Sequence, residues 1–148
     1  MMSKTFEELI SNLFSDLVSV SLEYAGKSAT DIFIYASLEV GVFFDPFFAN
    51  GTEVMTRSKL SGVDTSIDRQ QLLVDYGTTQ LSQFVKDCAN FTNPTPTEIK
   101  LHYVVATGKT DVDLKYVPQW SDTPDISFHD RSRKWQEEAR VMLAQRSV

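Results

Sequence analysis

The chain has 148 residues, 42% of them hydrophobic and 23% charged, with a formal net charge of −6 and a single cysteine. That composition belongs to a globular chain and excludes disorder over most of its length; the length suits one domain with a substantial core. The acidic balance disfavours a phosphate backbone as partner, and no stretch approaches the ~20 continuous apolar residues of a membrane span.

The first element is an amphipathic helix from about Thr5 to Tyr24. Phe6, Leu9, Ile10, Leu13, Phe14, Leu17 and Val18 follow the i, i+3, i+4, i+7 spacing of one helix face. Thr5 and Glu8 have the capping-box spacing, and Gly26 is the expected stop. Glu7, Glu8 and Asp16 stand where a signal peptide would carry a basic region and an apolar block, so the expectation is a cytoplasmic protein. Cys88 has no internal disulfide partner, which agrees with a reducing compartment.

Between residues 31 and 60 the pattern changes to β-branched and aromatic residues with period two, predicting three strands with Asn50-Gly51 as a tight hairpin turn. Within VFFDPFF, alternation puts Phe44 and Phe48 on one face, and Phe43 and Phe47 on the other with Asp45 between them. Pro46 requires a strand edge or a bulge. Residues 64–91 return to helical spacing, with Ile67, Leu73, Tyr76, Leu81, Phe84, Val85 and Cys88 on one side, and NPTP at 93–96 ends that helix. EIKLHYVVATGKTDVDLKYV reads as a second hairpin about Gly108, apolar on one face through Ile99, Leu101, Tyr103, Val105, Val112, Leu114 and Tyr116. From about Ser127 the chain is helical again, with Phe128, Trp135, Ala139 and Met142 on one stripe.

The order α-β-β-β-α-β-β-α, with strands joined by tight turns, predicts an α+β domain: an antiparallel, roughly five-stranded sheet packed against helices in two layers. The two long helices cover one face. The other face carries Phe33, Tyr35, Phe43 and Phe47 beside the polar Lys100, His102, Asp111, Asp113 and Lys115, so the last helix and a partner are expected to share its rings.

Residue chemistry is sparse. His102 and His129 fit no metal-ligand spacing, and Cys88 falls on an apolar helix face as a buried thiol; no cofactor is expected. His102 and Asp113 read as a cross-strand pair. TGKT at 107–110 lacks the first glycine of a phosphate loop and leads into a strand, so it is a turn. Asn90-Phe91-Thr92 matches the glycosylation triplet, which has no meaning in a cytoplasmic protein. Residues 31–99 hold nine acidic against four basic side chains, whereas 100–148 hold seven against eight, so the middle of the chain carries most of the charge. Such a field attracts basic proteins.

IFIYASLEV (32–40), VFFDPFF before a turn, DVDLKY (111–116), and the spacing of Arg131 and Trp135 after an acidic linker together resemble the YezG-like family of bacterial immunity proteins, antitoxins to secreted polymorphic toxins. The family resemblance implies a non-enzymatic protein that binds a cognate toxin domain, frequently a nuclease, and blocks it. On that reading Phe43 and Phe47 supply apolar anchors, and Asp45, Glu53, Asp64 and Asp68 supply charge complementary to a basic toxin. The competing expectation is a small-molecule or lipid-binding module whose pocket is lined by the aromatic sheet face and the last helix.

Overall fold

The computed structural model describes residues 5–91 and 94–146. Residues 1–4, Thr92 of the glycosylation triplet, Asn93 of the NPTP break and residues 147–148 lie outside the described residues.

Helix α1 (Phe6–Ala25) begins where Thr5 accepts a hydrogen bond from the Glu8 backbone N–H at 3.1 Å, and it ends at Gly26, whose φ of 56° suits glycine. Strands β1 (Asp31–Ser37), β2 (Phe43–Asn50) and β3 (Glu53–Thr56) follow, then a short 3-10 turn and α2 (Ile67–Cys88). Strands β4 (Glu98–Val104) and β5 (Thr110–Lys115) and helix α3 (Phe128–Arg146) complete the order α-β-β-β-α-β-β-α. The sheet is antiparallel with strand order β3-β2-β1-β4-β5, an α+β fold.

Strand β1 is central and every one of its residues is buried, because both of its faces are covered. Ile32, Ile34 and Ala36 meet α1 and α2 in one core, together with Phe44, Phe48, Ile99 and Leu101. Phe33 and Tyr35 point the other way and meet α3 in a second core with Phe47, Ala49, Trp135, Ala139 and Leu143. The two expected layers are therefore three. A single helix suffices because α3 lies over β1, β2 and β3, and the rings are concentrated on the first two of these strands.

Several local expectations shift by a residue or two. The β2–β3 loop is Gly51-Thr52; Asn50 still pairs with Glu53 as the last residue of β2, and only Gly51 takes a positive φ, of 66°. Pro46 pairs with Ile34 of β1 but lies just beyond the end of β3, so its missing N–H faces a side with no ladder, as its chemistry requires. On α3 the buried stripe runs through Leu143, and Met142 is exposed.

On α2, Ile67 and Tyr76 lie outside the core, 82% and 41% exposed. The buried stripe is Leu73, Gly77, Leu81, Phe84 and Cys88. Gly77 replaces a large side chain there because the Phe44 ring occupies the space: a Cβ at 77 would come within 2.3 Å of it. In an exposed helix interior, Gly→Ala is favourable by about 1 kcal/mol. Here overpacking against a buried ring outweighs that gain. Gly77→Ala is expected to destabilise the protein by about 1 to 3 kcal/mol, read as a lower urea midpoint; an unchanged or raised midpoint would show that Phe44 moves aside without cost.

Candidate functional site

The six residues expected at an interface do not form one surface. Phe47 is fully buried, stacked on Phe33 with ring centroids 5.1 Å apart, and Trp135 meets both rings edge-on. It belongs to the α3 core and cannot anchor a partner. Phe43 is half-buried against Phe128 and His129, with centroids 4.0 and 5.2 Å away. Asp45 is engaged internally, accepting from Arg57 Nη1 at 3.0 Å and from Ser132 Oγ at 2.5 Å. Glu53, Asp64 and Asp68 are exposed, Glu53 on the short edge strand, Asp64 in the loop before α2 and Asp68 in the first turn of that helix. Asp64 accepts the Ser66 backbone N–H, which holds its carboxyl below the usual range. On the aromatic face Phe33, Tyr35, Phe47 and Trp135 fill the space between sheet and helix themselves, and the face opens at Phe43, which borders a cleft with Asp45, Arg57 and His129.

The ionisable groups beneath α3 are joined in two clusters that sequence reasoning missed. Asp31, fully buried at the start of β1, takes Arg146 in a two-pronged pair: Nη1 to Oδ2 at 2.8 Å and Nη2 to Oδ1 at 2.9 Å. His102 Nε2 lies 2.6 Å from Oδ2, and the Thr30 hydroxyl donates to Oδ1 at 2.8 Å. His102 is thus the partner of Asp31. It faces Asp111 across the ladder, while Asp113 faces Lys100. The second cluster centres on Glu98, fully buried at the start of β4. Arg131 donates to it from Nε at 2.8 Å and Nη2 at 2.9 Å, and the Tyr35 hydroxyl donates at 3.0 Å. Burial and the neighbouring Glu98 push the Tyr35 phenol up, which keeps it a donor.

A buried His–Asp pair invites comparison with an acid–base dyad. Here both Asp31 oxygens are occupied by donors, the His102 ring is stacked on Phe33 at 4.3 Å, and both groups lie under the end of α3. The arrangement fastens a helix. Cys88 is buried, and burial pushes its thiol up, the setting of an inert side chain. Among the described residues, no group of three or more His, Cys, Asp or Glu is placed to share a metal ion, and no helix is long and apolar enough to cross a membrane.

With these carboxylates engaged, the surface charge divides by layer. Helices α1 and α2 carry seven acidic residues (Glu7, Glu8, Asp16, Glu23, Asp68, Asp75 and Asp87) against Arg69 and Lys86. Helix α3 carries five basic residues (Arg131, Arg133, Lys134, Arg140 and Arg146) against three acidic ones. Arg131 and Arg146 neutralise the buried Glu98 and Asp31, so three basic and three acidic side chains remain on α3: one face of the molecule is strongly negative and the opposite helix is balanced. The negative face also exposes apolar side chains: Leu72 and Tyr76 border a groove of about 410 Å³ between α1 and α2, with Val20, Glu23 and Asp75. Composition along the chain had pointed to residues 31–99 as the acidic surface. Of those, Asp31 and Glu98 are buried, Asp45 is paired, and Glu39 is bound to the backbone N–H groups of Gln119, Trp120 and Ser121 at 2.7–3.0 Å.

Compared with protein-family models and with curated proteins, the chain matches no family and no individual protein.

Burial pushes the Asp31 carboxyl up, but hydrogen bonds from Arg146, His102 and Thr30 outweigh it and hold the group below the usual carboxylate range. Burial of Glu39 is likewise outweighed by its three backbone donors. A depressed carboxyl contributes stability that is present above its unfolded pKa and lost as pH falls through the folded one. Unfolding free energy should therefore drop on acidification below about pH 4, near the unperturbed carboxylate values. Asp31→Asn should cost about 2 to 3 kcal/mol at pH 7, somewhat under the figure for fully buried pairs because Arg146 is 43% exposed and recovers water. It should also flatten the acid slope. Urea titrations followed by tryptophan fluorescence at pH 7 and pH 3 read both effects; parallel losses in the two proteins would place the acid sensitivity elsewhere.

Proposed function

We propose that the chain is a stoichiometric immunity protein of the YezG-like kind, which binds a basic toxin domain, foremost a nuclease, in the cytoplasm and neutralises it without chemistry of its own. The observation that carries this reading is the division of charge between layers, seven carboxylates against two basic residues on the α1/α2 face. A nuclease must present positive charge to hold a phosphate backbone, so a negative surface of this size competes for the same site and speeds encounter through long-range attraction. Apolar side chains exposed within that surface supply the desolvated contacts that charge alone does not. In this role the protein engages neither nucleic acid nor membrane.

Co-expression with the toxin encoded by the neighbouring gene tests the proposal. Cells should survive only when this chain is present, and the two proteins should co-purify one to one. Association should slow about tenfold between roughly 10 and 150 mM salt. Cell death despite soluble expression of this chain would refute the reading, as would protection by a chain that never contacts the toxin.

A further inference from the structure

The groove between α1 and α2 combines three features that seldom coincide on a surface without a partner. Leu72 is 62% exposed and Tyr76 41%, although α2 has a complete buried stripe of its own and needs neither for its core. Val20 and Leu73 floor the groove, so its centre is apolar. Glu23 and Asp75 stand on opposite helices at its rim. The one basic side chain lining it, Arg69, is turned over the ring of Tyr24, with its guanidinium carbon 5.7 Å from the centroid. That contact holds it within the helical layer, and of the two rim carboxylates Asp75 accepts from the neutral Gln71 amide at 2.7 Å, which leaves its charge to an incoming cation.

We infer that this groove is the docking site for a basic amphipathic segment of a partner protein. An arginine or lysine stem lies along Leu72, Tyr76 and Val20, and its head group sits between Glu23 and Asp75. Long basic side chains have this split character, an apolar stem and a charged tip, and the groove has the matching division. A purely apolar ligand would leave two carboxylates facing it without counter-charge, and an anionic one would be repelled. The inference rests on the proposed role as inhibitor of a basic toxin and assigns that role to a place: the contact is made by the two-helix layer, not by the aromatic strand β2 or by α3.

The test separates the two claims. First, the isotopically labelled protein is titrated with a synthetic helical peptide of arginine and leucine at amphipathic spacing, a probe that needs no toxin. Amide shifts should concentrate on residues 20–24 and 68–79. The double variant Glu23→Lys/Asp75→Lys, and separately Leu72→Ala/Tyr76→Ala, should weaken binding by roughly 30-fold or more, a loss of hot-spot size. All four side chains line an open groove, so unchanged melting temperatures are expected; Asp122→Lys/Glu137→Lys, at exposed positions away from the groove, serves as a charge-matched control and should change affinity less than about threefold. Shifts spread evenly over α1 and α2 or centred on α3, or equal losses in groove and control variants, would overturn the groove assignment. Second, the same variants are placed beside the toxin. Protection by the wild type that survives the groove variants overturns the site and leaves the immunity role standing. Peptide binding in the groove without protection does the reverse.

Discussion

The seating of α3 on the sheet depends on two forked arginine–carboxylate pairs, Arg131 with Glu98 and Arg146 with Asp31. The two arginines are fifteen residues apart, about 22 Å along a helix. Asp31 begins β1, and Glu98 pairs with Ser37 at its far end, about 20 Å away along the strand. The match sets direction and register together: α3 runs antiparallel to β1, and sliding it by a turn would leave buried carboxylates without their partners. Such pairs are weak sources of net stability, because desolvation consumes much of the Coulomb gain. They discriminate strongly against misplacement. That matters for a helix whose buried apolar residues are few, chiefly Trp135, Ala139 and Leu143.

Around this fastening the second core closes. Trp135 meets Phe33 and Phe47 edge-on, and Lys100 lies over the indole at 5.2 Å while pairing with Glu138. Ser132 reaches Asp45 on β2, so the helix is also tied to the strand beside the central one. The loop before α3 is held separately. Glu39 accepts three consecutive backbone N–H groups, and the Trp120 indole donates to Ser37 at 2.9 Å. Both ends of β1 thereby organise what packs above it.

Using carboxylates for these internal tasks determines which acids remain outside. The negative surface falls to α1 and α2, which pack on the sheet through apolar stripes and turn their charged faces to water. Phe44, Phe47 and Phe48 of β2 are buried in the two cores, whereas Leu72 and Tyr76, on the helix that covers the opposite face, are exposed.

Element types, their order and the antiparallel hairpins were legible in the amino-acid sequence, because period and turn chemistry are local: Thr5 with Glu8, the glycine after Asn50, Gly108 between two alternating runs, and Pro46 where a ladder has to stop. The third layer and the charge surface were not, because both depend on which side chains meet across long chain separations. Phe47 read as a spare ring until α3 lay over it, and Asp31 and Glu98 read as free acids until arginines 115 and 33 residues away reached them. Tyr76 misled in the opposite sense, since helical spacing names a face only to within one residue and the Phe44 ring in the Gly77 gap decided which residue faced inward. Local sequence determined what each segment becomes; tertiary contact alone decided which charges and rings face water, since burial is a property of pairs brought together by the fold.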